Sequence, residues 1–128
     1  MKNWETAKAN YLRLDRPQQL GSIASSLKRI ATNIQFQDES GYQVALAAIA
    51  ECQHLTEWLM TTLELQTDES DLSLAETLLQ VGRQVSQWKY DWQHCCQNSA
   101  KCEEVATISK QWSEQMLERS GLLQVESR

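Results

Sequence analysis

Two short stretches of this chain carry residue types that could hold a metal. Glu51-Cys52-Gln53-His54 is a Glu-x-x-His, and Asp91-Trp92-Gln93-His94 is an Asp-x-x-His. On a helix, a three-residue step puts a carboxylate and an imidazole on one side, as in the ligand sets of carboxylate-bridged di-iron bundles. Such ligands must project into the bundle. With side chains turning about 100° per residue, His94 falls roughly 160° from the centre of its own helix's apolar stripe, and His54 is similarly opposite its stripe. Glu51 and Asp91 lie on the flanks, and no acid occurs between Pro17 and Phe36 to complete a ligand set. Both histidines therefore read as solvated surface side chains, and no metal or other cofactor is expected.

The second group is His94-Cys95-Cys96 with Cys102 beyond a turn. Zinc sites are built on Cys-x-x-Cys pairs or comparable His pairs, and neither occurs. Cys96 projects close to a core stripe and Cys102 lies on the inner face of the following helix. The two could meet across the turn at Gln97–Ala100, which makes Cys95, Cys96 and Cys102 the candidate redox thiols. The plainer reading is buried cysteines acting as small apolar residues. There is no Gly-x-Ser-x-Gly elbow, no Gly-rich phosphate loop and no dinucleotide fingerprint, so no enzyme activity is expected.

The elements that would position these residues are helices. Leu74, Leu78, Val81, Val85, Trp88, Trp92 and Cys95 recur at steps of four and three, which predicts a helix over Leu72–Gln97 with one strong apolar face. Leu20, Ile23, Leu27, Ile30 and Ile34 mark a helix over Pro17–Phe36. Ala45, Ile49, Cys52, Leu59 and Leu63 mark one over Gly41–Gln66, capped by Ser40 with Gln43. Cys102, Val105, Ser109, Trp112 and Met116 mark one over Ala100–Ser120, stopped by Gly121. A short helix over Asn3–Leu14 precedes them, ended by Asp15-Arg16-Pro17. No alternating strand pattern occurs. The fold expected is all-α, an up-and-down four-helix bundle with an additional short N-terminal helix. Residues 1–121 form its single domain and 122–128 a frayed tail.

Charge is segregated along the chain. Residues 1–36 carry a net +4, residues 37–79 a net −9 with no Lys or Arg, and the remainder is balanced, for a total of −5. The simplest use of this polarity is internal, the basic first third lying beside the acidic second third. An acidic total without a basic cluster excludes nucleic acid and anionic membrane as main partners. The longest apolar run, Val44 to Ala50, is too short to span a bilayer, and an acid stands at Glu5 where a signal peptide would start its apolar core. A cytoplasmic protein with four free thiols is expected.

The segment Tyr11-Leu-Arg-Leu-Asp-Arg-Pro-Gln-Gln-Leu-Gly-Ser-Ile-Ala-Ser-Ser-Leu-Lys-Arg-Ile30 resembles the opening of small helical proteins of unknown function from cyanobacteria. The resemblance lies in the first quarter of the chain. It implies a soluble cytoplasmic setting, and it carries no activity and no functional residues.

What remains is surface. Trp58 and Leu65 on the third helix, and Leu72, Leu79 and Tyr90 on the fourth, project away from the main stripes. Either the first helix folds back over them with Trp4 and Tyr11, or they form a protein–protein interface, most simply of a twofold homodimer. The function expected is a non-enzymatic helical-bundle interaction module. The alternative is a small-molecule or thiol-redox sensor with a pocket near Trp88, Trp92, Cys96 and Cys102.

Overall fold

The computed structural model describes residues 3–121, and every regular element in them is a helix. In chain order these are α1 (Trp4–Arg13), α2 (Arg16–Ile34), α3 (Glu39–Met60), α4 (Glu69–Tyr90), α5 (Trp92–Gln97) and α6 (Ser99–Ser120). The tail expected at 122–128 lies outside the described residues.

Local chemistry sets most boundaries. The Asp15 carboxylate accepts from the Gln18 N–H at 2.9 Å while the Gln18 side chain accepts from the Asp15 N–H at 3.3 Å, a reciprocal cap with Pro17 in the first turn. Asn98 caps α6 through the Lys101 N–H, and Gly121 ends it with φ of 78°. Gly41 is forced by a different constraint. A Cβ there would sit 2.4 Å from the Asn33 carbonyl oxygen, so the α2–α3 turn closes only around a glycine.

Four expectations need correction, the first being the start of α4, which is Glu69 with Asp68 as its N-cap and not Leu72. The N-cap of α3 is Asp38, which accepts from the Gly41 N–H at 2.7 Å, and Ser40 lies inside the helix. Likewise α3 stops at Met60 and not at Gln66. Thr61 and Thr62 each turn a hydroxyl back onto a carbonyl three residues earlier (Trp58 and Leu59, both at 2.7 Å), a local bonding that competes with helix continuation. Leu65 is therefore a loop residue with no helix face. Finally, the helix predicted over Leu72–Gln97 breaks at Asp91, whose backbone (φ −103°, ψ 24°) leaves the helical region. Aspartate is a poor helix former, and the bend lets α5 lie on α6. The stripe survives the bend: Leu74, Leu78, Val81, Val85, Trp88 and Cys95 are all buried.

Packing joins these helices into one core of Ile, Leu, Val and Ala side chains from α2, α3, α4 and α6. The most intimate pairing is α2 with α6, followed by α2 with α3 and α3 with α4. Small residues let α2 and α6 approach, and Ser113 Oγ donates to the Ala24 carbonyl at 2.8 Å, a bond between side chain and foreign backbone. The segregated charges meet as expected. Arg29 reaches Glu51 at 2.9 Å and Arg16 reaches Asp71 at 3.0 Å, each linking the basic first third to the acidic second third.

Asp71 is the better buried of these acids. One carboxylate oxygen takes the Arg16 guanidinium and the other takes the Glu64 N–H at 2.8 Å, tying α2, the α3–α4 loop and α4 together. The backbone N–H first, and Arg16 second, hold its carboxyl below the ordinary carboxylate range. A carboxyl lowered by folding contributes stability above its unfolded pKa of about 3.9 and loses it as pH falls through the folded value. Asp71→Asn should therefore lower the urea midpoint at neutral pH and flatten its decline below about pH 4. Parallel declines for the two proteins would show that Asp71 does not carry the effect.

Candidate functional site: the groove between α3 and α4

The side chains singled out for chemistry gather only in part: Cys95, Cys96 and Cys102 neighbour one another. Among the described residues, no three His, Cys, Asp or Glu side chains gather into a metal-binding set. His94 is exposed, but His54 is not the solvated residue that its wheel position suggests. Trp4 of α1 stacks on it with centroids 4.0 Å apart, and Trp58 lies 5.4 Å away on its other flank. The imidazole is a packing element between α1 and α3.

Cys52, Cys95 and Cys102 are buried and Cys96 is half-buried, all four free. Cys102 donates its S–H to the Cys95 carbonyl at 3.1 Å. Burial pushes the Cys52 thiol up to about 12, and burial followed by its cysteine neighbours pushes Cys96 up to about 11. Burial, then Asp91, raises Cys95 as well. Reactive cysteines have lowered pKa values, because the thiolate is the nucleophile. In native protein at pH 8, a disulfide reagent should label Cys96 alone, and more slowly than free cysteine. The other three should react only on unfolding, and rapid labelling of two or more thiols would contradict this geometry. The residues suggested for a sensor pocket are also divided. Trp88 and Cys95 border a polar crevice of about 220 Å³ with Gln84, Lys101 and Glu104. Trp92 borders a separate surface hollow with Tyr90 and His94, and Cys96 and Cys102 border neither.

The residues suggested for an interface separate cleanly. Trp58 is only 8% exposed, and Trp4 and Tyr11 lie against it at 6.1 Å and 6.0 Å, so α1 covers it. The Tyr11 hydroxyl donates to the Gln19 carbonyl at 2.9 Å, and Gln19 Nε2 returns a bond to the Tyr11 carbonyl at 3.3 Å. Burial drives the Tyr11 phenol far above its ordinary pKa. That cover does not extend to α4. Leu72 is 45% exposed, Leu79 59% and Tyr90 95%, and Leu65 stands exposed on the loop.

Beside Leu79 runs a groove of about 510 Å³ between α3 and α4. Gln53, Thr56, Glu57 and Met60 form one wall, a spacing of three and four along α3. Leu78, Leu79, Gly82, Arg83 and Ser86 form the other, with Thr61 at one end. Gln53 Nε2 donates to Ser86 Oγ at 2.9 Å and bridges the walls. Gly82 lies in the α4 wall of the groove. A Cβ there would meet only Thr56 Oγ1 at 3.8 Å, so packing does not demand glycine. A glycine inside a helix costs about 1 kcal/mol relative to alanine. Glu57 and Arg83 stand exposed on the rim, and among the described residues neither forms an ion pair.

A second hollow, of about 520 Å³, lies where Trp4 of α1 meets α2 and α3 and is lined by Arg29, Val44, Ala47 and Glu51. Its two charged residues already satisfy one another. The α3–α4 groove keeps both its charges and its leucine open to solvent. Helical periodicity alone leaves Gln53, Thr56, Met60 and Gly82 unmarked, and the one signal for them is a glycine in the middle of a strong helical pattern. No helix of the described residues is long and apolar enough to cross a membrane. No protein-family model, curated protein or solved structure matches the chain, so the functional reading rests on its own geometry.

Proposed function

We propose that this chain is a non-enzymatic interaction module that docks a helix of another protein molecule along the outer face of α3 and α4. We infer further that α2, α3, α4 and α6 form an up-and-down four-helix bundle with α1 strapped across α3, a scaffold that leaves α4 as its open side. The observation that carries the reading is Leu79, exposed at the lip of a groove that Gly82 also lines. Seating a leucine-sized side chain there would return about 2 kcal/mol. An amphipathic helix lying in a groove uses anchors at three- and four-residue steps, the spacing both walls present. The partner is protein, since a net charge of −5 disfavours nucleic acid and anionic lipid, and four free thiols suit a cytoplasmic setting.

Site-specific photocrosslinking in cells tests this directly. A photoreactive phenylalanine at position 79 should give a discrete protein adduct, while the same residue at Thr107, exposed on α6, should give none. Absence of an adduct at 79, or equal adducts at both positions, would overturn the docking face.

A further inference from the structure

The docking face described above has a charge order along α4 that selects its occupant. Leu72, Glu76, Leu79, Arg83, Ser86 and Tyr90 follow one another at alternating steps of four and three, so they form one line on the side of α4 opposite its core stripe. All six are exposed. The acids of this helix, Glu69, Asp71 and Glu76, lie in its first half, and its bases, Arg83 and Lys89, lie in its second. Glu76 and Arg83 are seven residues apart, about 10 Å along the axis, too far to pair within one helix. Neither forms an ion pair elsewhere among the described residues.

We propose, building on the docking reading, that the occupant is a second copy of this chain, with α4 packed antiparallel against α4 about a twofold axis midway between Leu79 and Arg83. That centre is also the midpoint of the line from Leu72 to Tyr90. An isologous contact uses one patch twice, so it must be self-complementary. Here antiparallel pairing sets the acidic half of each α4 beside the basic half of the other, whereas parallel pairing would stack like charges. In this register Leu72 meets the partner's Tyr90 ring, Leu79 lies against the stem of the partner's Arg83, and Glu76 comes within one turn of that guanidinium. Each contact occurs twice by symmetry.

Sedimentation velocity over a hundredfold concentration range, on the full chain and three variants, provides the test. The wild type should show a concentration-dependent dimer. Glu76→Arg and Arg83→Glu alone each turn two cross-axis attractions into repulsions and should weaken dimerisation about tenfold. The combined reversal restores opposite charges across the axis and should recover the dimer to within about threefold of wild type. Circular dichroism of all four proteins should show the same helix content. A wild type that stays monomeric overturns the proposal, as does a double variant no better than the single ones. The crosslink at position 79 separates the two failures. An adduct with an unlike protein, from a chain that is monomeric, removes self-pairing and leaves the docking face standing. An adduct of twice the chain's mass supports both.

Discussion

Trp58→Ala should cost about 3–5 kcal/mol of folding stability, the range for removing a large aromatic side chain from a packed site. The side chain lies between α1 and α3, with Trp4, Tyr11 and His54 all around it, and it is 8% exposed. Truncation leaves a void that these rings cannot all fill, because Tyr11 is held by its bonds with Gln19. The loss should appear as a lower urea midpoint, and α1 should become susceptible to proteolysis before the rest of the chain unfolds. Trp58→Phe, which keeps a ring against Trp4, should recover most of the stability. A cost below about 1 kcal/mol for the alanine variant would mean that Trp58 does not seat α1.

Leu79→Glu should do the reverse, leaving the fold intact and weakening association. At 59% exposure the new carboxylate stays in water, and its local charges offset one another. Arg83 lies four residues on and attracts it, while Glu76 lies three residues back and repels it. The unfolding free energy should stay within about 0.5 kcal/mol of wild type. Association loses the burial of a leucine, about 2 kcal/mol, offset in part by attraction between the new carboxylate and the partner's Arg83, so Kd should rise about tenfold. A loss of stability greater than about 2 kcal/mol would show Leu79 to be covered by its own chain.

These two residues also show how much was legible beforehand. Helical periodicity locates the helices and their inner faces, because apolar spacing and burial share one cause, and the caps at Asp15, Asn98 and Gly121 are legible for the same local reason. Trp58 and Leu79 look alike at that level, each an apolar side chain outside its stripe. What separates them is where α1 lies. That is decided by Trp4 stacking on His54 and by the paired bonds between Tyr11 and Gln19, contacts between elements that no single helix's spacing records. The break at Asp91 and the early end of α3 turn on single side-chain and backbone choices of small energy. The groove was harder still, since most of its lining, Gln53, Thr56, Glu57, Gly82, Arg83 and Ser86, belongs to no apolar stripe.

The close pairing of α2 with α6 has a consequence for how the molecule folds and breathes. Ala24 and Ser113, joined by a hydrogen bond, are 89 residues apart, so this contact must close nearly the whole chain. Closing so long a loop carries an entropic penalty that local helix pairs do not meet, and it makes α2–α6 assembly the slow, committing event. By contrast α4 packs its backbone chiefly on α3 and the short α5. It is the layer that can open while the α2–α6 pair stays shut, and its amides should exchange with solvent deuterium sooner than those of α2 and α6. Of the four long helices, α4 is thus the least anchored, and a partner bound at the proposed docking face should register first as slowed exchange confined to α4.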